Sequence, residues 1–337
     1  MIKKILSACL CLLLSFSFVS CNAGYKNYKK EIFDCFDTVS IVSGYFKSEQ
    51  EFNECFDKIE KKLKFYHKLF DIYNNYDKMN NIKTVNDNAG LSSVLVDDEL
   101  IELLDFSKKA YELTDGKVNV CIGSVTKIWK NSQKTKTLPS KEELVKANKT
   151  TDINNLVINR DKGTVFLKQK GCLLDVGAIT KGFVCEKLKS FARQNGLENG
   201  IINLGGNVMT IGEKQDKSHF KIGIKNPDNP SENIFVVNVK ENNVVTSGNY
   251  ERYFEKDGVR YCHIVSPETL MPADKNKSVT IIADNASLAD ALSTCLFIAD
   301  YKDGISLINS LENCEALIID ENGATHFSKE FKKYFEK

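Results

Sequence analysis

Apolar residues recur along this chain with two different periods, which predicts a mixture of helices and short strands. Between Phe52 and Phe70 they recur at steps of three and four, so this segment predicts one long amphipathic helix. Asp115 and Gly116 end another such segment, and Asn285 is a cap residue before a third. The spacing predicts further helices over 99–113, 178–194, 286–298 and 304–311, and a short helix after 138–143.

Short runs rich in β-branched residues lie between these helices and predict strands. They cover 33–43, 156–159, 164–167, 200–204, 220–224, 234–239, 244–246, 261–265, 278–283 and 316–319. The order lacks the regular alternation of strand and helix that a βαβ fold requires. We therefore expect an α+β fold with mixed or antiparallel sheets flanked by helices.

The first twenty residues have the pattern of an export signal. Two early lysines precede an apolar run over 5–19, which is too short to cross a bilayer comfortably. Cys21 follows this run in a place similar to the lipid-modified cysteine of bacterial lipoproteins. We expect a lipoprotein signal peptide over 1–20, lipidation of Cys21 and a polar tether over 21–30. The alternative is an ordinary signal peptide with an incidental cysteine.

Charge and cysteine content exclude several classes of function. The chain has 46 lysines and arginines against 45 acidic residues, and it stays near neutral without its first twenty residues. Nucleic-acid binding would need a basic excess, so we expect no nucleic-acid partner. The eleven cysteines show neither CxxC pairs nor zinc-ligand spacing, and most lie in apolar runs. They fit small buried hydrophobes.

One stretch, 173–183, combines an apolar strand, a glycine turn and a helix start. The strand ends at Asp175, and Lys181 falls in the first turn of the helix. Free backbone N–H groups and the positive end of a helix dipole favour a phosphate there, and the lysine adds a point charge. A tight structural turn with an exposed lysine explains the same residues equally well.

Asp290 and Thr294 lie one turn apart on the predicted helix 286–298, among apolar neighbours. A carboxylate and a hydroxyl at this spacing suit a hard cation such as Mg²⁺. A solvated polar side of the helix is the simpler explanation of this pair.

Three weaker patterns have structural explanations beside functional ones. Gly205 and Gly206 interrupt a strand-like run, where either a β-bulge or close approach of a ligand would require them. His263 belongs to a dense polar and aromatic patch with Ser247, although a lone strand histidine is usually structural. Tyr73 follows the long helix and could hold a flat ring, but core packing explains it as well.

Taken in order, these motifs resemble the ApbE-like family of FAD:protein FMN transferases. The matching pieces are 36–38, 115–129, 175–182, 203–207, 246–250, 263–267 and 289–294. Each piece is weak by itself, but their shared order over 33–327 is specific.

The resemblance implies a T-fold-related, two-lobed single catalytic unit over 31–330, with a possible lobe boundary near 131–155. It implies Mg²⁺-dependent transfer of FMN from FAD to a Thr or Ser hydroxyl of an acceptor flavoprotein, with release of AMP. It also implies a location outside the cytoplasm, with a lipid anchor in a bacterial membrane. The alternatives are FAD hydrolysis to FMN and AMP, and a flavin-binding lipoprotein without activity.

The resemblance also implies roles for individual residues. The metal would be held by the Ala178 carbonyl, the Asp290 carboxylate and the Thr294 hydroxyl. His263 is the candidate base beside the reacting phosphates, with an aspartate near the metal, such as Asp290, as the alternative. Implied FAD contacts are Tyr73, Gly116, Lys117, Val118, Asp175, Lys181, Gly205, Gly206, Asn207, Ser247, His263 and Ile264. Many family members carry aspartate where this chain has Asn119.

Overall fold

The computed structural model describes residues 24–335, so the predicted signal peptide 1–20 and lipidation at Cys21 lie outside the described residues. Within that part, the helices are α1 (Glu49–Leu69), α2 (Ile82–Asp87), α3 (Asp98–Leu113), α4 (Gly123–Thr135), α5 (Lys141–Asn148), α6 (Thr180–Gln194), α7 (Ala286–Ile298) and α8 (Tyr301–Asn309). Two short 3₁₀ helices cover Ile153–Asn155 and Phe331–Tyr334.

The strands of the described part follow the chain in fifteen short segments. They are β1 (Lys26–Cys35), β2 (Thr38–Phe46), β3 (Val94–Leu95), β4 (Leu156–Asn159), β5 (Thr164–Leu167), β6 (Gly200–Leu204), β7 (Asn207–Ile211), β8 (Phe220–Lys225), β9 (Asn233–Val239), β10 (Asn243–Gly248), β11 (Tyr253–Lys256), β12 (Val259–Cys262), β13 (Asn276–Ala283), β14 (Cys314–Asp320) and β15 (Thr325–Phe327).

One eight-stranded sheet organises the molecule. Its order is β1-β2-β6-β7-β10-β13-β14-β15, and every neighbouring pair is antiparallel. Three smaller antiparallel sheets have the orders β3-β5-β4, β8-β9 and β11-β12. The predicted α+β class with antiparallel sheets is therefore confirmed.

Both faces of the large sheet are covered. On one face the main core packs strand residues such as Val42 and Ile281 against α1, α6, α7 and α8. On the other face the β8–β9 hairpin and Phe331 cover residues such as Val244. The main core includes residues on both sides of 131–155, from Ile32 to Ile318, so one continuous core spans the predicted lobe boundary.

Helix α7 is the most deeply buried helix of the site region. Twelve of its thirteen residues are buried, and it packs on β10 and β13. Asn276, itself 1% exposed, donates from its amide nitrogen to the carbonyls of Leu296, Phe297 and Ala299 at 3.0, 3.2 and 2.9 Å. This side chain satisfies the carbonyls that the end of a helix leaves unpaired.

The prediction of a single strand over 33–43 is wrong, because a hairpin replaces it. The backbone has positive φ at Asp34, Phe36 and Asp37. It turns there, and β1 pairs with β2 across a register shift between Ile32 and Cys35. Strand β1 begins at Lys26, inside the stretch predicted as a tether, so residues 26–30 belong to the sheet.

Some of the other predicted helices and strands agree with the structure, and others do not. The helix predicted over 286–298 coincides with α7, and a capping box at Ser140 begins α5 as expected. Helix α4 was missed, because Ile122 precedes it without a side-chain cap. Strand β12 ends at Cys262, so the predicted strand over 261–265 is too long.

The eight cysteines of the described part are free and buried, which confirms their interpretation as core residues. Among residues 24–335, no helix is long and apolar enough to cross a membrane.

Replacing Asn276 by alanine should destabilise the protein. The change leaves three helix-end carbonyls without their donor, so we expect the free energy of unfolding to fall by about 2 kcal/mol. Urea unfolding followed by circular dichroism measures this loss. Asn131→Ala, on the exposed side of α4, is the control and should stay within about 0.5 kcal/mol of wild type. Equal stability of the two variants would contradict the role assigned to Asn276.

Candidate active site

A buried carboxylate lies where helices α6 and α7 meet. Asp290 is 4% exposed, and its Oδ2 accepts a hydrogen bond from the Gly182 backbone N–H at 2.7 Å. Burial raises the pKa of Asp290, while Lys181 and the Gly182 N–H oppose that rise. An acid placed in this way is costly to ionise until a positive group approaches it.

Only glycine fits at the crossing of these helices. A Cβ atom on Gly182 would lie 2.3 Å from the Ala286 carbonyl oxygen and 2.4 Å from the Cβ of Asp290. Any side chain at this position would push the two helices apart. The absence of a side chain therefore lets the start of α6 approach the carboxylate directly.

The contact with Asp290 also satisfies a backbone donor at the start of α6. Gly182 is the third residue of this helix, where the backbone N–H has no partner within the helix. Here that N–H bonds to Asp290, and the Ala178 carbonyl accepts no backbone hydrogen bond from the described residues. This half-buried carbonyl is free to bind another partner.

Asn207 completes the buried polar pocket around the carboxylate. Its amide lies beside Asp290 and helps to lower the pKa of that acid, although burial prevails. Asn207 is 1% exposed, and neither polar atom of its amide has a hydrogen-bond partner within the described residues. Buried polar groups are nearly always paired, so an unpaired amide here marks a place for a ligand or ion.

Gly205 and Gly206 form the two-residue turn of the β6–β7 hairpin, with φ of +57° and +95°. This geometry needs left-handed backbone, which glycine adopts most readily. The prediction that they lie inside one strand is therefore wrong, and neither marks a bulge. A Cβ on Gly205 would lie 2.1 Å from the Thr38 hydroxyl, whereas a Cβ on Gly206 would meet nothing closer than 3.8 Å.

Two cations, Lys181 and Arg252, contribute positive charge to this pocket. Lys181 is half-buried in the first turn of α6. Burial lowers the pKa of Lys181, Asp290 opposes that change, and Arg252 adds to it. Arg252 also acts electrostatically on His263, so its charge contributes to the field at Lys181 and at His263.

His263 is an exposed residue next to the short strand β12. Its backbone N–H donates to the Arg252 carbonyl at 3.0 Å, and its Nδ1 lies 3.2 Å from the same oxygen. Desolvation by the surrounding protein, followed by the charges of Arg252 and Lys181, lowers the pKa of His263. The imidazole is therefore neutral at pH 7. A proton on Nδ1 that bonds to the carbonyl leaves the Nε2 lone pair free.

A second cluster lies at the turn that precedes α6. The Asp175 side chain, 12% exposed, accepts from Thr126 at 2.7 Å and from Lys130 at 2.8 Å through Oδ2. Its Oδ1 accepts from the Gly177 N–H at 3.1 Å. Burial raises the pKa of Asp175, but the Lys130 charge and these hydrogen bonds outweigh burial and hold it below its usual range.

Tyr73 lies beside this cluster with a ring that is 56% exposed. Its backbone N–H donates to Oδ1 of the buried Asp71 at 2.6 Å. The Lys130 ammonium lies over the ring, 5.2 Å from its centroid. The sequence did not indicate Lys130 or Thr126 as site residues. Thr126 lies within the matching piece 115–129, and Lys130 directly follows it.

The stretch 116–118 contributes backbone rather than side chains. Gly116 has φ of +76°, and the Val118 N–H bonds to the buried Thr114 hydroxyl at 3.1 Å. The Val118 side chain is 1% exposed and packs in the main core. Lys117 acts electrostatically on Cys295 and so lies near α7.

Two further candidate residues lie on the edge of the site. The Ser247 hydroxyl bonds to Ser293 on α7 at 2.8 Å, and Ser293 in turn donates to the Asp290 carbonyl at 2.9 Å. Ile264 is 8% exposed and packs in the core. Their side chains support the site from outside it.

Comparisons with known proteins agree with this arrangement. Residues 36–318 match the sequence profile of the ApbE family. A FAD:protein FMN transferase from Klebsiella pneumoniae (strain 342) is 31% identical over 72% of this chain and 75% of its own length. Another from Treponema pallidum (strain Nichols) is 32% identical over 71% of this chain and 70% of its own length.

The chain belongs to the ApbE family.

Solved structures of ApbE proteins share its fold. The crystal structure of the ApbE protein from Thermotoga maritima is 31% identical, has a TM-score of 0.84 and covers 93% of this chain and 100% of its own. The flavin transferase ApbE from Vibrio cholerae, at 20% identity, has a TM-score of 0.78 over 92% of this chain and 100% of its own. The expected ApbE-like architecture is thus confirmed.

The implied ligands of a divalent cation in this ApbE-family chain are three oxygen donors. Within residues 24–335, no group of three His, Cys, Asp or Glu side chains converges. The oxygen donors of Ala178, Asp290 and Thr294 instead offer one carboxylate, one carbonyl and one hydroxyl. Mg²⁺ takes few protein oxygens and keeps water or phosphate as its other ligands. The free carbonyl and the raised pKa of Asp290 both fit such an ion.

Asn119 shows why an amide can stand where many members have aspartate. Its Nδ2 donates to the Thr151 carbonyl at 2.8 Å, and its Oδ1 accepts from the Cys121 N–H at 2.9 Å. A carboxylate could make only the second bond. In this chain the residue ties the segment before α4 to the loop after α5.

Without metal, Asp290→Asn should stabilise the ApbE-family fold at neutral pH. The folded pKa of Asp290 is raised above its unfolded value of about 3.9, so the folded state binds more protons between the two values and stability falls as pH rises through them. The amide has no such cost. We expect the variant to melt higher than wild type at pH 7 in EDTA, with the difference vanishing near pH 3.5.

Differential scanning fluorimetry across this pH range measures the effect. Asp161→Asn removes the same charge from an exposed turn and should show no gain. A wild-type protein more stable than Asp290→Asn at pH 7 in EDTA would contradict the raised pKa.

Proposed function

We propose that this protein transfers FMN from FAD to a Thr or Ser hydroxyl of an acceptor flavoprotein, with Mg²⁺ and with release of AMP. Family membership carries the reaction class, since its curated relatives are FAD:protein FMN transferases and an enzyme is therefore expected. The observations that support the metal are the buried Asp290 carboxylate, which bonds to the start of α6, and the Ala178 carbonyl before that helix, which accepts no backbone hydrogen bond from the described residues.

The reaction exchanges one oxygen for another at phosphorus. The acceptor oxygen bonds to the phosphorus that carries riboflavin, the bridging P–O bond of the pyrophosphate breaks, and AMP leaves with the bridging oxygen. Negative charge grows on the phosphate oxygens during this exchange. When bound, Mg²⁺ would neutralise part of that charge. Lys181 and the positive end of the α6 helix dipole supply positive potential on the same side.

His263 is suited to take the proton of the attacking hydroxyl. The ring is neutral at pH 7, because surrounding protein and nearby cations lower its pKa. The Arg252 carbonyl fixes its orientation through Nδ1 and directs Nε2 away from that contact. Bound phosphates would offset the nearby positive charges and raise the basicity of the ring, which is what a general base needs.

FAD hydrolysis is the second candidate reaction, and the exposure of His263 favours it. One side of the ring is open to solvent, so water could take the place of the acceptor hydroxyl. The same bonds would then form and break, with free FMN as the product. The two reactions differ only in which oxygen attacks.

We propose that the protein acts outside the cytoplasm, anchored through a lipid on Cys21. The pattern of the first 21 residues supports this location. Strand β1 begins beside the end of α6, since Phe46, its partner there, contacts Gly196. The candidate site lies at the opposite end of α6, a fifteen-residue helix about 22 Å long. An anchor before β1 would thus be attached near the end of α6 that is remote from the candidate site.

The reaction is tested with purified protein, FAD, Mg²⁺ and an acceptor peptide that contains one threonine. We expect AMP and a flavinylated peptide in equal amounts, with loss of both on adding EDTA. Asp290→Ala should lower the rate by at least about 100-fold, because it removes the only carboxylate of the proposed metal site. Chromatography of nucleotides and mass spectrometry of the peptide give the readout.

Each alternative has its own result in that assay. AMP with free FMN and an unmodified peptide would support hydrolysis instead of transfer. No AMP under any condition would refute both reactions. Full activity of Asp290→Ala would refute the metal assignment, and Asp161→Ala serves as the matched exposed control.

The anchor is tested by expressing the full chain in a bacterium and separating membranes. We expect wild type in the membrane fraction with a lipid-modified Cys21 at its N-terminus by mass spectrometry. Cys21→Ser should appear as a soluble or uncleaved protein. Recovery of wild type without lipid, cleaved at another residue, would support an ordinary signal peptide.

A further inference from the structure

Lys130 links two parts of the site that lie far apart in sequence. Its ammonium bonds to Asp175 at 2.8 Å and lies 5.2 Å from the centroid of the Tyr73 ring. Tyr73 follows α1, whereas Asp175 precedes α6. A single side chain of α4 thus touches both the exposed aromatic ring and the turn next to the phosphate pocket.

We propose that Lys130 is a positioning residue that holds the Tyr73 ring as a platform for the flavin, at a fixed place relative to the phosphate pocket. This inference rests on the proposed function, since it takes FAD as the ligand. In this proposal, Lys130 fixes the position of the flavin ring relative to the phosphates of the same ligand.

The ring of Tyr73 needs such a support. The residue is 56% exposed, so core packing does not fix its side chain. Asp71 holds only the backbone, through the 2.6 Å bond from the Tyr73 N–H. A cation over an aromatic face is attracted to it by roughly 0.5–1 kcal/mol at exposed sites and by about 2 kcal/mol when desolvated, and Lys130 is half-buried. Lys130 supplies that attraction and leaves much of the ring open for stacking.

Lys130 is itself held firmly. Its neighbour Trp129 is 5% exposed, donates to the Leu270 carbonyl at 2.8 Å and stacks on Tyr261 at 5.8 Å between centroids. Val125, one turn earlier on α4, is fully buried. The helix therefore holds Lys130 in a fixed place beside the exposed ring of Tyr73.

The other end of the link reaches the phosphate pocket. The Oδ2 atom of Asp175 binds Lys130, and its Oδ1 accepts from the Gly177 N–H at 3.1 Å. Gly177 directly precedes Ala178, whose carbonyl is free. The path from the aromatic ring to this carbonyl thus runs through one lysine and one carboxylate.

A direct role for Lys130 as a phosphate-binding cation is less consistent with its contacts. Its ammonium is already paired with Asp175, and burial of the pair is offset by their mutual attraction. Lys181 and Arg252 are the cations that lower the pKa of His263, and Lys130 is not among the main charges that affect it.

The test separates the two ends of FAD by measuring binding of riboflavin and of ADP. Riboflavin carries the flavin ring without phosphate, and ADP carries two phosphates without flavin. For Lys130→Met we expect the Kd for riboflavin to rise about fivefold to tenfold, with the Kd for ADP within about twofold of wild type. Quenching of flavin fluorescence and calorimetry give the two constants, and retained ADP binding shows that the variant is folded.

Two further variants sharpen the result. Lys130→Arg keeps a cation that can pair with a carboxylate and stack on a ring, so we expect riboflavin binding within about threefold of wild type. Lys134→Met removes an exposed lysine from the same helix and should leave both constants unchanged.

Other outcomes overturn the inference in distinct ways. Weaker ADP binding with unchanged riboflavin binding would make Lys130 a phosphate-directed cation. No change in either constant would remove any role in binding. Wild-type protein that binds neither FAD nor ADP would instead refute the proposed function itself.

Discussion

The hydrogen bond from the Gly182 N–H to the Asp290 carboxylate is the contact on which the rest of the site depends. It joins the start of α6 to the middle of α7, at a crossing so close that only glycine fits. It also pairs an N–H group that the first turn of a helix leaves without a partner. One interaction therefore joins the two helices and gives a buried acid a hydrogen-bond donor.

The surrounding structure preserves this contact at some cost to stability. Helix α7 is buried along nearly its whole length, and Asn276 satisfies its last carbonyls. The acid is placed where burial opposes its charge, and Asn207 lies beside it with unpaired polar atoms. Such buried polar groups weaken a fold unless a ligand completes them. The arrangement is one that a hard cation and phosphate oxygens would complete.

Much of this architecture could be predicted from the sequence, because strong local signals coincide with the elements that carry the site. The apolar segment after Asn285 forms α7, and the Asp175–Gly177 turn leads into α6. Helical spacing alone placed Asp290 and Thr294 one turn apart on this helix. The order of the motifs then pointed to the ApbE family, which the comparisons support.

What could not be predicted depends on contacts between distant segments. Lys130 lies on α4, which has no capping side chain to mark its start, and its partners are far away along the chain. The glycine pair at Gly205 was assigned to a strand, because nothing local distinguishes a two-residue hairpin turn from a bulge there. A crystal structure with Mn²⁺ and FAD tests the central claim most directly. The account predicts an anomalous peak bonded by the Ala178 carbonyl, Asp290 and Thr294. A peak elsewhere, with the Ala178 carbonyl unbound, would contradict it.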